Sequence, residues 1–441
     1  MSDIEDFGWG THEEIAQAVM VLSRPAMLLS LFLAGWAADV LVLEHFKIDY
    51  AAAIGLRPEE LGNPRLFFTA AMVLAIIAGS ANVWAVQHPH DPSILWVPVF
   101  VYFGVLILLC APLPAQLARL LGVRVPLRRS LMRCFVQSPT KETPFIDILV
   151  ADGMTSMARA FFDIGVGGCV IYETGAWPMG SSSGIPTTDG DNLRLPLSGM
   201  PLGEAMGRCN RHPFPFVMLA LPFLIRARQC IISATSSNDS YKKRVQYTNL
   251  AKYMSALPVV VFSFFFKRAA AEGATSGIEE LWMFAALVNA VFSAMWDLVF
   301  DWGLLQPTKM GLRPVLLLRP AVPTYHCVVA MNLLGRTLWS LQWSNECKAL
   351  GTAVCGTMQQ CLEVFRRCMW NVLRVEWECI KNGINKCPTS HSECPTPQQP
   401  EDNEMVSLTD ESHVATGSRS VVLYEKDAMK IVGRDYDDDR P

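Results

Sequence analysis

The sequence predicts an all-α, polytopic integral membrane protein with about ten transmembrane helices. Composition is the first reason: of 441 residues, 51% are hydrophobic and 18% charged, where soluble domains carry roughly 25% charged residues. Recurrence is the second. Apolar runs close to the ~20 residues that a helix needs to span a ~30 Å hydrocarbon core return along nearly the whole chain. The net charge of −4 says little about partners. The stretch from Glu401 to Asp439 holds eleven acids against five bases up to Arg440, which leaves the remainder slightly basic.

Residues 1–23 form a short N-terminal segment that opens with Asp3, Glu5 and Asp6. A cleavable signal needs a basic region there, so the first membrane helix is expected to act as an uncleaved signal. The expected spans are residues 27–43, 66–84, 94–117, 146–170, 213–232, 253–266, 281–304, 321–343 and a more polar 352–377. Residues 122–136, studded with Arg124, Arg128, Arg129 and Arg133, make a tenth. Lys and Arg in short loops stay cytoplasmic. That rule places residues 233–250 (Lys242, Lys243, Arg244) and 306–320 (Lys309, Arg313, Arg319) in the cytosol. The Gly-, Ser- and Pro-rich connection 172–212 then faces the lumen or exterior, and the C-terminus is cytoplasmic. Ten spans put the N-terminus inside and nine put it outside; ten is the expectation. Residues 24–380 are the transmembrane domain, and 381–441 are expected to be a disordered acidic tail.

Charges at membrane depth carry the functional signal, because each costs about 2.5–3.5 kcal/mol at a helix centre and tends to mark a substrate or ion path. Asp297 and Asp301 lie four residues apart between Trp296 and Trp302, one turn apart on a shared helix face. Asp152, Thr155, Ser156 and Arg159 fall at i, i+3, i+4 and i+7, one continuous face. Arg226 and Arg228 close the 213–232 run, and Lys252 and Tyr253 open the next. Arg336 and Trp339 share a face; Glu363, Arg366, Arg367, Arg374, Glu376 and Glu378 follow in the last run. Two readings stay open for these groups. Arg159–Asp163 and Glu363–Arg367 suit structural i,i+4 pairs, and Arg226 and Arg228 suit snorkelling to the cytosolic interface. The set as a whole exceeds what packing alone would retain.

Thirteen cysteines show no CxxC pair and no zinc-type Cys/His spacing. Most lie in apolar runs, where Cys acts as a small hydrophobe; Cys387 and Cys394 are free thiols or palmitoylation sites. His88-Pro89-His90 reads as a solvated turn. No metal site, cofactor or catalytic residue is expected. The arginines and Lys252 instead suit a phosphate-like anion. Carboxylates among them make sense if the anion carries a proton: hydrogen phosphate can donate to a carboxylate, with Asp297 the candidate acceptor, whereas sulfate cannot.

These residues resemble the EXS family. The likeness rests on Ala151-Asp152-Gly153-Met154-Thr155-Ser156, on Arg226 with Gln229-Cys230, and on Asn249-Leu250-Ala251-Lys252-Tyr253. It continues through Trp296-Asp297 to Asp301-Trp302-Gly303-Leu304, Arg336 and Trp339, and Phe365-Arg366-Arg367 with Trp370-Asn371, Arg374, Glu376 and Glu378. The family includes phosphate exporters and a yeast Golgi protein needed for retention of lumenal ER proteins. The resemblance implies a phosphate path through Asp152, Thr155, Lys252, Tyr253, Asp297, Arg336, Trp339, Arg366 and Arg367, joined by Asp301 as the neighbour of Asp297. It implies transport of inorganic phosphate from Golgi lumen to cytosol, or out of the cell, supporting Golgi glycosylation and protein retention. Only about 25 residues precede the first helix, so the SPX sensor domain of the plasma-membrane exporters is expected to be missing. The partners expected are inorganic phosphate, the lipid bilayer, Golgi enzymes or trafficking proteins reached through the tail, and a second copy of the chain in a homodimer; no nucleic acid is expected. Two rivals remain open: a non-transporting Golgi adaptor for retained enzymes, and a membrane enzyme holding Mg²⁺ at Asp297 and Asp301.

Overall fold

The computed structural model describes residues 12–384 except 58–59, 61–62, 88–95, 111–123, 137–141, 175–201, 275–276, 306–311, 314 and 319–321. The tail, Cys387, Cys394, the His88–His90 turn, Lys309, Arg319 and most of the 172–212 connection lie outside these residues. The protein is an all-α multi-pass membrane protein. Its helices are α1 His12–His45, α2 Tyr50–Ile54, α3 Pro64–Gln87, α4 Trp96–Cys110, α5 Arg124–Val136, α6 Phe145–Ser156, α7 Ala158–Thr174 and α8 Leu202–Cys209. There follow α9 Pro213–Ser236, α10 Ser240–Met254, α11 Ala256–Ala271, α12 Ile278–Trp296, α13 Val322–Gly335, α14 Asn345–Leu350 and α15 Thr352–Lys381. A π-turn, Asp297–Asp301, extends α12, and a 3₁₀ turn, Leu338–Trp343, follows α13.

Among the described residues, five helical segments are long and apolar enough to cross a bilayer, six if the bent pair α6–α7 is one span. The expected ten is not reached by that measure. Helices α4 and α13 have 15 and 14 described residues, and α15 carries more charge than that measure admits. The tenth candidate, α5, is a 13-residue helix tied to one end of the bundle. Arg133 of α5 holds Asp147 in the first turn of α6 at 2.6 Å, and Arg129 reaches Glu60 at 3.2 Å. Arg228 donates to the carbonyls of Cys134 and Phe135 at the C-terminal end of α5, at 3.3 and 3.0 Å, where helix carbonyls lack internal partners.

Two pairs of helices depart from the apolar runs. The run 146–170 reads as one segment, but the chain bends by 61° between α6 and α7. Thr155 Oγ1 donates to the Asp152 carbonyl at 2.7 Å, and Met157 forms the corner. Arg159 therefore does not continue the face of Asp152, Thr155 and Ser156. It pairs with Asp163 at 3.4 Å, as its i,i+4 spacing suggests, and Arg24 of α1 holds the same carboxylate at 2.8 Å. Conversely, Lys252 and Tyr253 do not open a span. Helix α10 runs on into α11 as a single span, Ser240–Ala271, which places Lys252 well inside it.

The chain ends alternate between two faces of the bundle. The α7 end and α8 are joined by a Cys169–Cys209 disulfide, and Cys347 of α14 is joined to Cys355 at the start of α15 on the same face. Cys169 and Cys355, which lie in apolar runs, are therefore not the separate small hydrophobes expected there. Ala18, Val19 and Leu22 of α1 pack against Leu202 and Cys209, so α1 begins at the disulfide face. It ends at the other, where Cys379 Sγ donates to the Asp49 carbonyl at 3.6 Å. Arg313, expected as an exposed cytosolic charge, is buried at that second face. It pairs with Glu376 at 2.5 Å, whose Oε1 also accepts from Leu317 N and Tyr325 Oη at 2.7 and 2.5 Å. This network fastens the 302–318 connection to α15.

Candidate functional site

All ten site residues read from the sequence line one cavity of about 300 Å³. It is enclosed by α6, α9, the α10–α11 span, α12 with its π-turn, the α13 end with the 3₁₀ turn, and α15. Each element delivers its residues for a local reason. The bend after Ser156 ends α6 beside the cavity, so Asp152, Thr155 and Ser156 meet α15 there. The π-turn bonds Trp302 N to the Asp297 carbonyl at 2.9 Å and keeps both Asp297 and Asp301 on the cavity wall. Such wide turns occur preferentially at functional sites.

Four arginines around the cavity already have carboxylates. Arg226 Nε lies 2.7 Å from Asp152 Oδ1, and Tyr253 Oη donates to the same oxygen at 2.6 Å. Arg226 is thus buried and paired; it does not snorkel. Arg336 grips Asp297 Oδ2 through Nη2 and Nε at 2.5 and 3.1 Å. Arg366 forks onto Glu363 at 2.7 and 2.6 Å, so the helix pair is i,i+3 and not the i,i+4 Glu363–Arg367 expected. Arg374 sits 2.8 Å from Glu378 and 3.7 Å from Asp301. Bidentate Arg–carboxylate pairs of this kind fix geometry as well as charge.

Two cations remain. Arg367 donates to the hydroxyls of Ser156 at 2.7 Å and Thr155 at 3.5 Å, and its guanidinium lies 4.4 Å from the Trp370 ring centroid. Among the described residues no carboxylate pairs with it. Lys252 Nζ stands 4.0 Å from Asp301 Oδ2, beyond hydrogen-bond length, and over the Tyr253 and Trp296 rings at 4.3 and 5.1 Å. Both cations are 6% exposed. The two π-turn carboxylates differ sharply. Asp297 accepts from Trp370 Nε1 and Asn332 Nδ2, each at 3.0 Å, as well as from Arg336. Asp301 has ion-pair neighbours at 4.0 and 3.7 Å but accepts no hydrogen bond among the described residues.

Sequence reasoning missed Asn332 as a member of the site. Its Nδ2 donates to Asp297 while its Oδ1 accepts from Arg366 Nη1 at 2.7 Å. The signal was available: a lone amide four residues before Arg336 in an apolar run shares its helix face. Trp370 was read as a landmark and is also a ligand of Asp297. Trp282, Trp339 and Trp343 cluster with centroids 5.6 to 5.9 Å apart at the end of the cavity nearest the Cys347–Cys355 disulfide. Trp343 Nε1 is anchored by Glu279 at 2.7 Å. Among the described residues no group of three His, Cys, Asp or Glu is arranged to hold a metal ion.

Known proteins match along this framework. The chain is 25% identical over 377 residues to "SPX and EXS domain-containing protein 1" of Dictyostelium discoideum, covering 82% of this chain and 37% of that protein. It is 26% identical over 341 residues to "Protein ERD1 homolog 1" of Schizosaccharomyces pombe, covering 75% and 78%. To "Phosphate transporter PHO1 homolog 10" of Arabidopsis thaliana it is 25% identical over 370 residues, covering 79% and 41%. The chain therefore spans about two fifths of the Dictyostelium and Arabidopsis proteins, and most of the fission-yeast one. The sequence profile of the EXS family matches residues 19–380, through every segment that lines the cavity, and the protein belongs to the EXS family.

Proposed function

We propose that the protein transports inorganic phosphate across a membrane, with the cavity as its anion site. The observation that carries this reading is the pair of cations Lys252 and Arg367, facing one buried cavity without a carboxylate at hydrogen-bond distance. The four paired arginines form the wall, and these two form the binding surface. Hydrogen phosphate is an anion, and it meets two cations that no carboxylate hydrogen-bonds among the described residues. Its P–OH finds an acceptor in Asp301, whose oxygens are otherwise unoccupied. Sulfate would meet the same carboxylate with no proton to offer. The names of relatives from Arabidopsis and human, "Phosphate transporter PHO1 homolog 10" and "Solute carrier family 53 member 1", support transport over catalysis. No covalent step is required of any residue here.

Passage is a hand-off. An anion that enters past the tryptophan cluster meets Arg336 and Arg366 on the way to Lys252 and Arg367, and each contact must be weak enough to release it. Likeness to an ERD1-type protein over 78% of that protein's length supports the Golgi branch of the family, with phosphate moving from lumen to cytosol, over export from the cell. The decisive experiment is radiolabelled phosphate flux in liposomes holding the purified protein. Wild-type protein should conduct, and Arg367→Ala should cut flux at least ~10-fold, as expected for losing charge-assisted hydrogen bonds of ~1.5–3 kcal/mol. Absence of flux in the wild type, or full flux in both Arg367→Ala and Lys252→Ala, would sink the reading.

A further inference from the structure

A second cavity lies on the opposite side of α15, and its chemistry is unlike the first. It measures about 360 Å³ and is lined by α1, α13, α15 and Leu318, within the ~300–1,000 Å³ of small-molecule sites. Whereas Arg366, Arg367 and Trp370 face the anion cavity, Phe365, Cys368, Met369 and Val372 face this one. Val42 and Phe365 on its walls are 38% and 49% exposed, so the cavity opens onto the lipid-facing surface. It sits toward the face where α1 ends, with Phe46 on its wall. Gly35 makes the close approach: a Cβ there would overlap Cys368 Sγ, so α1 and α15 touch at that point beside the cavity.

One carboxyl group faces this apolar space. Asp39 lines the cavity and is 4% exposed. Its Oδ2 accepts from Asn371 Nδ2 at 3.2 Å; its Oδ1 meets no donor, and no cation pairs with it, among the described residues. A carboxylate buried in apolar surroundings without a counter-charge is costly. Among the described residues, every other buried carboxylate, at Asp147, Asp152, Asp163, Asp297 and Glu376, has an arginine within 2.8 Å. Asp39 is the exception, and it lines a space shaped for an alkyl body.

We propose that this cavity binds a membrane amphiphile with a long apolar chain and a cationic amine head of the sphingoid-base type. The amine neutralises and hydrogen-bonds Asp39, and the chain lies among Leu31, Val328, Val372 and Leu373. Charge complementarity selects the amine over neutral lipids. The bilayer supplies the ligand directly through the open side.

A photoactivatable sphingosine, applied to the full-length protein in nanodiscs of zwitterionic lipid, tests this. It should label the α1 or α15 segment bordering the cavity, and unlabelled octadecylamine should compete. Asp39→Asn keeps the side-chain size and the Asn371 contact, and should lower labelling at least ~10-fold through loss of the charge-assisted bond. Val328→Trp, which fills the space and leaves Asp39 in place, should abolish it. A size-exclusion profile matching the wild type qualifies each variant. Labelling that is equal in wild type, Asp39→Asn and Val328→Trp would overturn the site. A photoactivatable cholesterol that labels as strongly, and is as sensitive to Asp39→Asn, would overturn the amine assignment.

Discussion

At the scale of single residues, the cavity separates groups that build from groups that bind. Arg336 holds the buried Asp297 at 2.5 Å, and Arg366 holds the partly buried Glu363 at 2.6 Å. Removing one partner of such a pair strands the other at a cost of about 3–5 kcal/mol. Arg336→Ala should therefore lower folded yield, read as loss of the monodisperse peak on size-exclusion chromatography. Arg367→Ala should leave that peak intact and lose flux, since only hydroxyls are released. Arg367→Lys should recover part of the flux, because the ammonium keeps the charge and loses the planar fork. The carboxylates divide in the same way. Asp297, expected from sequence to accept the phosphate hydroxyl, is filled by Trp370, Asn332 and Arg336. Asp297→Asn should behave as a folding variant. Asp301→Asn should fold and lower the phosphate-to-sulfate flux ratio several-fold; an unchanged ratio in well-folded Asp301→Asn would remove the selectivity role. Residue types at the site were legible in the sequence because ions at membrane depth are rare and costly. Their partners were not, because pairing across helices depends on rotation and depth, which one-dimensional spacing does not contain.

At the scale of elements, irregular turns do the positioning. The α6–α7 bend and the π-turn both lie within uninterrupted apolar runs, so hydropathy alone reads through them. The bend answers to Thr155 and Met157, and the span containing Lys252 answers to a polar helix that precedes its apolar run. Both features are local departures from period and composition. The motif Trp302-Gly303-Leu304 is the readable exception. Gly303 has φ of 59°, a left-handed conformation that costs a side chain ~1–2 kcal/mol, and a Cβ there would overlap the Trp377 ring. That ring is almost fully buried in α15, so it has no room to yield. Gly303→Ala should reduce thermal stability measurably, seen as a lower midpoint of heat-induced loss of the monodisperse peak. A wild-type midpoint would show that the turn relaxes without cost.

At the scale of the whole molecule, disulfides and charged loops orient the bundle. Disulfides persist in oxidising compartments, and both described here lie on one face. The Lys242-Lys243-Arg244 cluster begins α10 at the other, where Lys and Arg near span ends mark the cytosol. The two signals agree, so the disulfide face is lumenal or exterior. Helix α1 starts beside Leu202 and Cys209 on that face and finishes beside Cys379 on the cytosolic one. The start of α1 therefore lies with the disulfides, whereas the ten-span expectation, which counts α5 as a crossing, puts it on the cytosolic side. Helix α5 carries enough apolar residues to resemble a short span, while its arginines bind Asp147 and Glu60 at the face where α1 ends. The consequence is measurable in sealed vesicles with the cytosolic face outward. An epitope before Met1 should resist protease until detergent is added, and an epitope after Pro441 should be cleaved at once. Cys347 and Cys355 should react with a membrane-impermeant maleimide only after reduction and detergent together. Cleavage of both epitopes in intact vesicles would restore an even number of crossings and return α5 to the membrane.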